Sequence, residues 1–301
     1  MEKFIERTLD FIPAQTAWIK KQWLDVPYMA ADAKYPQRHT LDIYLPNEGV
    51  GPFPTIIDVF GGGLYFGNKS SHKLEPALKL LAKGYAVVSP NYSLIWQASF
   101  PQQILELKAV IRWVKAHAHE YQLAENRLAL MGESSGAHLA LLTAVTADSD
   151  NFSNREFGLN PQLSEKVQAV IVLYGPYEFD KFQAQFKSSG VTPKYQETGQ
   201  ATSFEGQLFG GKAPASRPEL VAAYNPVSYF SHKMPPILAF VGKADPVVPY
   251  QQTVNMMKSA QQFLDPKRAK IITHANGVHG PHDYMTPEDT EIKAEFLQRW
   301  L

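Results

Sequence analysis

The residues best able to do chemistry lie in residues 128–142, where an apolar segment runs into Gly-x-Ser-x-Gly centred on Ser134 and a helix-forming segment follows. This order is typical of a nucleophile elbow between a strand and a helix. Gly132 and Gly136 suit a turn too tight for side chains at its flanks. We therefore expect Ser134 to expose Oγ at a helix N-terminus, which favours negative charge. The motif is not rare by itself, and an ordinary Gly-Ser turn is the alternative.

A serine hydroxyl is a weak nucleophile that needs a base, and the base needs an orienting carboxylate. His279, in a loop after the strand predicted over residues 269–274, is the predicted base. Asp245, in the loop after the strand predicted over residues 235–241, is the predicted acid. Asp245 could also serve only as a turn residue before a proline. His282 and His274 stay open as the base, and Asp283 and Asp180 stay open as the acid.

Three consecutive glycines follow the apolar strand predicted over residues 55–60, which lets the backbone approach a ligand closely. We predict an oxyanion hole made of the backbone N–H groups of Gly62, Gly63 and Ser135, with a flexible loop as the alternative. Losing one such donor costs on the order of 3 kcal/mol in the reaction barrier. The residues predicted to border the substrate pocket are Leu64, Tyr65 and Phe66. Within the elbow region, Glu133 is predicted to be structural and His138 to be packed in the helix.

Strands alternate with helices along the chain, which predicts a mostly parallel sheet with helices on both faces. Loops that carry function gather at the carboxyl ends of the strands in such sheets. The elbow, the glycine loop and the loops of Asp245 and His279 can therefore meet at one edge. The remaining predicted strands are 26–30, 39–45, 85–89, 128–131 and 167–174, and the predicted helices are 74–83, 101–117, 250–263 and 288–301.

We interpret residues 1–301 as a single domain with two additions. Residues 4–24 have an amphipathic pattern, which predicts an N-terminal helical segment within residues 1–25. Residues 176–226 are rich in glutamine, glycine and aromatic residues and are predicted to form a cap-like insertion over the sheet. The aromatic residues of this insertion either line the substrate pocket or belong to a surface excursion.

The composition argues against several classes of protein. Basic and acidic residues number 29 each and there is no cysteine, so we expect no nucleic-acid partner, no disulfide and no thiolate chemistry. Neither a metal-ligand cluster nor a phosphate-binding loop is present, so no metal and no cofactor are predicted. No segment reaches the length of a membrane span and no signal-peptide core follows Met1, so we expect a soluble cytoplasmic protein. A homo-oligomer is compatible with the same composition.

Over about residues 26–300, these motifs resemble α/β-hydrolase serine esterases of the hormone-sensitive-lipase-like and bacterial feruloyl-esterase-like (BD-FAE, acetylesterase-type) branch. The chain order Ser134, Asp245, His279 agrees with that fold. The resemblance implies a serine carboxylesterase that hydrolyses short-chain acyl esters, a small-molecule substrate, through an acyl-enzyme. An amide or peptide hydrolase, such as a formamidase or aminopeptidase, and a non-catalytic binding module stay open.

The chain departs from the family at one position. The family usually has histidine before the three glycines, where it braces the oxyanion loop by hydrogen bonding, and this chain has Phe60. A phenyl ring can brace the loop only by packing. We therefore predict a working site whose glycine loop is held in a different way.

Overall fold

The computed structural model describes residues 10–301, in which eight strands form one sheet in the order β1-β2-β4-β3-β5-β6-β7-β8. The strands are β1 (Gln22–Pro27), β2 (Thr40–Tyr44), β3 (Phe53–Val59), β4 (Ala86–Pro90), β5 (Leu123–Glu133), β6 (Ala169–Leu173), β7 (Ile237–Gly242) and β8 (Ala269–His274). β2 is antiparallel to β1 and β4, and all the other neighbours are parallel. The predicted mostly parallel sheet is confirmed.

The α-helices alternate with the strands over most of the chain. They are α1 (Glu75–Leu78), α2 (Gln102–Ala116), α3 (Ser135–Val145), α4 (Phe182–Ser189), α5 (Phe204–Leu208), α6 (Pro218–Tyr224), α7 (Gln251–Ala260) and α8 (Pro287–Trp300). Short 3-10 helices cover Pro36–His39, His72–Leu74, Lys79–Lys83, Pro214–Ser216, Pro226–Tyr229 and Pro281–Tyr284. No helix within residues 10–301 has the length and apolar character needed to cross a membrane.

The hydrophobic core is divided by the sheet into two layers, because successive strand residues point to opposite faces. On β3, Ile57 packs in the layer that also contains residues of α2, α3 and α7. Its neighbour Ile56 packs in the other layer, with residues of α1 and α8. Both faces of the sheet are therefore covered by helices, and the strand ends point their loops to the same edge.

The helical segment predicted over residues 1–25 is wrong where the structure describes it. Residues 10–21 contain no helix, and β1 begins at Gln22 and pairs with β2, with Trp23 opposite Ile43. The backbone N–H and C=O groups of β1 form hydrogen bonds with β2. A local helix is therefore not needed to satisfy these groups. Trp23 also packs on Tyr121, with ring centroids 5.3 Å apart. The part of the prediction that falls on residues 1–9 lies outside the described residues.

The excursion between β6 and β7 holds the short helices α4, α5 and α6 and contains residues 176–226, for which a cap-like insertion stays a prediction. Its segments return to the edge of the sheet where the strands end. The Lys194 backbone N–H donates to the Pro246 carbonyl at 2.7 Å, directly beside Asp245. This contact ties the insertion to the loop that follows β7.

Candidate active site

Ser134 occupies a sharp turn between the end of β5 and the start of α3. Its φ of 53° and ψ of −127° form a strained conformation for a residue with a side chain. A Cβ on Gly132 would overlap the carbonyl of Gly136, and a Cβ on Gly136 would overlap the carbonyl of Val59. The Ser134 N–H is fixed by the Leu173 carbonyl of β6 at 2.9 Å. The turn therefore has the geometry of the predicted elbow, and both glycines are required by close backbone contacts.

A continuous chain of hydrogen bonds joins Ser134, His279 and Asp245. The His279 Nε2 lies 2.9 Å from Ser134 Oγ, and Nδ1 lies 2.8 Å from Asp245 Oδ2. The other oxygen of Asp245 accepts the backbone N–H groups of Val247 and Val248, at 2.8 and 2.9 Å. Because a carboxylate only accepts, Nδ1 carries the proton and Nε2 presents its lone pair to the serine hydroxyl.

Contacts around the loop of His279 fix the imidazole. Tyr284 donates its hydroxyl to the Val278 carbonyl at 3.0 Å, and the Val278 N–H donates to Asp283 Oδ2 at 2.8 Å. The ring of Tyr174 meets the imidazole edge-on, with centroids 4.7 Å apart. Asp283, which the sequence also allows as the acid, therefore holds the loop through its backbone and does not bind the imidazole.

The remaining histidine and aspartate candidates lie away from Ser134. The His274 Nε2 lies 3.1 Å from Asp289 Oδ1, and Asp180 forms a 2.9 Å ion pair with Lys181. His282 is exposed on the 3-10 helix that follows the loop of His279. Asp245 and His279 are therefore the two candidates that the fold brings to the serine.

Phe60 supports the glycine loop by packing. Its buried ring stacks on Tyr92, with centroids 4.3 Å apart and an interplanar angle of 12°. The Tyr92 hydroxyl also donates to the Phe60 carbonyl at 2.6 Å. A Cβ on Gly67 would overlap the phenyl ring of Phe60, so the loop can pass this ring only with glycine at position 67. The loop is thus held by a stacked pair of rings and a backbone hydrogen bond.

Two further hydrogen bonds connect the glycine loop to the elbow. The Gly61 N–H donates to Glu133 Oε1 at 2.6 Å, and the Leu64 N–H donates to Ser135 Oγ at 3.2 Å. Both acceptors flank Ser134 in sequence, so the loop and the serine are positioned by the same short segment. Glu133, predicted to be structural, thus has a specific partner 72 residues away.

The Glu133 carboxylate is buried but stays charged. Burial by itself would raise its pKa, but the positive charge of Lys73, the nearby His279 and the Gly61 N–H together hold the pKa below its ordinary value. The Lys73 Nζ lies 3.2 Å from Glu133 Oε1. A fixed negative charge therefore lies beside the loop and close to the histidine.

Gly62 and Gly63 have the backbone conformations that favour glycine, with φ of +130° and +64°. Neither N–H donates to another residue among residues 10–301, whereas the Gly61 N–H is taken by Glu133. Both glycines line the same cavity as Ser134 and Ser135. Ser135 is the first residue of α3, where backbone N–H groups lack a partner within the helix.

The cavity beside Ser134 has a volume of about 320 Å³. Leu64 lies in its wall, whereas Tyr65 and Phe66 are not wall residues and pack on Phe204, with ring centroids 6.4 and 5.9 Å away. The insertion supplies much of the apolar wall, through Phe179, Phe182, Phe204 and Leu208. This favours the interpretation that the aromatic residues of 176–226 line a pocket. Within residues 10–301, no group of three or more histidine, aspartate or glutamate side chains could hold a metal ion.

Some residues that shape the site were missed from the sequence. Lys73 and Tyr174 reach the site from segments far from the elbow, and no local pattern marks their roles. The φ of +42° at Tyr174, whose ring contacts His279, is visible only in the structure. His138 is buried as predicted, with its ring against Phe179 at a centroid distance of 5.0 Å.

A mostly parallel sheet with a serine elbow, and with histidine and aspartate in loops after later strands, defines the α/β-hydrolase class. Within this class, the sequence model of the BD-FAE family matches residues 41–259, and the chain belongs to that family. The probable carboxylic ester hydrolase LipM of Mycobacterium tuberculosis is 28% identical over 216 residues, which cover 70% of this chain and 46% of LipM. The chain spans about half the length of the curated relatives it matches.

Two solved structures are also similar. A truncated carbohydrate esterase from gut microbiota has 26% identity and a TM-score of 0.79, and the match covers 96% of this chain and 99% of that chain. A bifunctional GH43-CE protein of Bacteroides eggerthii has 29% identity and a TM-score of 0.79, with coverage of 92% and 38%. The fold and the likeness to esterases therefore extend over nearly all of this chain.

Proposed function

We propose that this protein is a serine carboxylesterase that hydrolyses short-chain acyl esters through an acyl-enzyme. The observation that carries the proposal is the hydrogen-bonded chain from Ser134 through His279 to Asp245, with distances of 2.9 and 2.8 Å. It opens on a cavity lined by the glycine loop. The relatives named as esterases support the same reaction class.

In the proposed mechanism, Ser134 Oγ attacks the ester carbonyl while His279 Nε2 takes its proton. Asp245 keeps the imidazole in the tautomer that can accept this proton and stabilises the imidazolium. The N–H groups of Gly62, Gly63 and Ser135 receive the negative oxygen of the tetrahedral intermediate. His279 then protonates the leaving alcohol, and a water molecule activated by His279 releases the acid from Ser134.

The size of the cavity supports a small substrate. A volume of about 320 Å³, walled by bulky aromatic side chains, suits a short acyl group. The names of two structural relatives include carbohydrate esterase or CE, so an acetylated sugar belongs in the first substrate panel. Phenolic esters and small lipid esters complete that panel. A cytoplasmic location and a homo-oligomeric state stay predictions from the sequence.

The test is hydrolysis of p-nitrophenyl acetate by the wild type, by Ser134→Ala and by the surface control Ser216→Ala. We expect Ser134→Ala to lose at least about 10⁴-fold in kcat, since the nucleophile is removed. The control should match the wild type, and both variants should keep the wild-type Tm. Activity retained in Ser134→Ala would overturn the proposal. Faster cleavage of aryl formamides or aminoacyl amides than of matched esters would instead assign an amide hydrolase.

A further inference from the structure

Lys73 lies beside the active site but has no part in the proposed mechanism. It belongs to the 3-10 helix His72–Leu74, and both Lys73 and Glu133 lie in the wall of the cavity beside Ser134. Its Nζ is 3.2 Å from Glu133 Oε1, and the two side chains are 22% and 5% exposed. Within residues 10–301, no other lysine or arginine forms an ion pair with Glu133. The pair is largely shielded from water, which strengthens the attraction between its charges.

One oxygen of the Glu133 carboxylate serves two partners. Oε1 accepts the Gly61 N–H at 2.6 Å and also faces Lys73 Nζ. A Cβ on Gly61 would lie 2.5 Å from this oxygen, so the backbone of the loop and the carboxylate are in close contact. Because Gly62 and Gly63 follow directly, a displacement of Gly61 would also displace the two N–H groups that the mechanism assigns to the oxyanion. Lys73 is therefore connected to the glycine loop through Glu133.

The backbone around Lys73 is fixed on both sides. The His72 N–H donates to the Ile12 carbonyl at 2.7 Å, and the Leu74 N–H donates to the Ser71 carbonyl at 3.0 Å. The Leu74 side chain is buried in the core layer that contains residues of α1 and α8. A charge carried by a fixed backbone can hold another group in one position.

Lys73 is the main group that keeps Glu133 ionised. Burial raises the pKa of Glu133, and the positive charge of Lys73 makes the largest contribution in the opposite direction, ahead of His279 and the Gly61 N–H. If the positive charge of Lys73 is removed, burial remains and the pKa of Glu133 must rise. The neutral carboxyl would then be a weaker acceptor for the Gly61 N–H, because hydrogen bonds to charged groups are the stronger ones.

The other ionisable groups that face Glu133 supply no positive charge. They are Asp58 on β3, Tyr92 after β4 and Tyr174 after β6. Burial raises the pKa of each of these groups, and the charge of Glu133 raises it further, which favours their neutral forms. They therefore cannot replace Lys73 as the partner of the carboxylate.

We propose that Lys73 is a positioning residue, whose ammonium group holds the Glu133 carboxylate on the Gly61 N–H and thereby keeps the oxyanion donors of the glycine loop in place. This inference rests on the proposed function, because Gly62 and Gly63 act as donors in that mechanism. Lys73 acts through Glu133 and does not bind the substrate. Its loss should therefore lower kcat and leave KM within about twofold of the wild type.

The first test is a double-mutant cycle of Lys73→Met and Glu133→Gln, assayed on p-nitrophenyl acetate at pH 6. In the wild-type background, we expect Lys73→Met to lower kcat by about tenfold, since the Gly61 N–H loses a charged acceptor. In the Glu133→Gln background, the same change should cost less than about twofold, because no carboxylate remains for Lys73 to hold. Exposed Lys79→Met is the matched control and should equal the wild type.

The pH dependence is a second readout, which a merely structural role of Lys73 would not change. In Lys73→Met the carboxylate of Glu133 regains its charge as the pH rises. The ratio of variant to wild-type kcat should therefore increase from about one tenth at pH 6 to about one third at pH 8.5. In the Glu133→Gln background the corresponding ratio should not depend on pH. Reading p-nitrophenol at its isosbestic wavelength keeps the signal independent of pH.

Restoring the charge gives a third readout. Lys73→Arg keeps a positive group beside Glu133, and its kcat should lie within about threefold of the wild type. An arginine variant as slow as Lys73→Met would overturn the inference. The Tm of each variant reports folding, and Lys73→Gln, which also lacks the charge, takes the place of Lys73→Met if the methionine variant does not fold.

The outcomes separate this inference from the esterase proposal. A loss in kcat that disappears in the Glu133→Gln background and shrinks with rising pH supports it. Equal losses in both backgrounds, a loss that does not change with pH, or wild-type kcat in Lys73→Met would overturn it and leave the esterase proposal standing. A raised KM that persists in the Glu133→Gln background would also overturn it, because Lys73 would then bind the substrate. Failure of the wild type to hydrolyse any ester would overturn both proposals.

Discussion

Replacing Glu133 with alanine tests how the glycine loop is held. The change removes the acceptor of the Gly61 N–H, 2.6 Å away, and the partner of Lys73, 3.2 Å away. A hydrogen bond to a charged group contributes roughly 1.5–3 kcal/mol, and one oxyanion donor roughly 2.7–4 kcal/mol. The loop keeps its contacts through Leu64 and Phe60, so we expect a partial displacement. The kcat should fall by about 10²-fold, which corresponds to about 2.7 kcal/mol.

Glu133→Gln is the matched variant, because its amide oxygen can still accept the Gly61 N–H. It lacks the negative charge beside His279, and we expect a smaller loss in kcat of about tenfold. Both variants are assayed on p-nitrophenyl acetate together with Tm, and exposed Glu219→Gln serves as a surface control. Wild-type kcat in Glu133→Ala would refute the reasoning. Equal losses in the two variants would show that the charge matters and the acceptor does not.

Three further predictions concern the same region. Burial lowers the pKa of His138 from 6.5 to about 4. Between pH 6.5 and pH 4, the unfolded chain therefore binds a proton at His138 that the folded protein does not bind. The free energy of unfolding should therefore fall as pH drops from 6.5 to 4, by up to about 3 kcal/mol, and urea melts of His138→Gln should lack this part of the slope. Gly61→Ala should lower both kcat and Tm, since its Cβ would lie 2.5 Å from the Glu133 carbonyl oxygen; unchanged kinetics would contradict this contact. Phe60→His should lower Tm by losing the stack on Tyr92 and should not raise kcat, whereas a higher kcat would show that the loop is under-braced in the wild type.

The residues that meet at the site were predictable where a short sequence pattern indicates their role. The elbow around Ser134 needs glycines at fixed offsets, and the loops of Asp245 and His279 follow apolar strands. The parallel sheet then determines that these strand ends share one edge. The architecture and the meeting of Ser134, Asp245 and His279 could therefore be predicted from short segments and from their order along the chain.

Other features depend on contacts that no short segment encodes. The amphipathic pattern before Trp23 is compatible with a helix, and only pairing with β2 makes β1 a strand. The bond between Glu133 and Gly61 spans 72 residues and requires the finished sheet. The bond between His138 Nε2 and the carbonyl of Tyr224, 86 residues further along the chain, likewise requires the finished fold.

The central claim is that His279 activates Ser134, and labelling with a fluorophosphonate tests it most directly. Intact-mass and peptide mass spectrometry should find one adduct, on Ser134. In His279→Ala the labelling rate should fall by at least about 10³-fold, as expected when the general base of a triad is lost. His282→Ala, three residues away and exposed, should label at the wild-type rate. An unlabelled Ser134 in the wild type, or equal labelling of His279→Ala, would contradict the account.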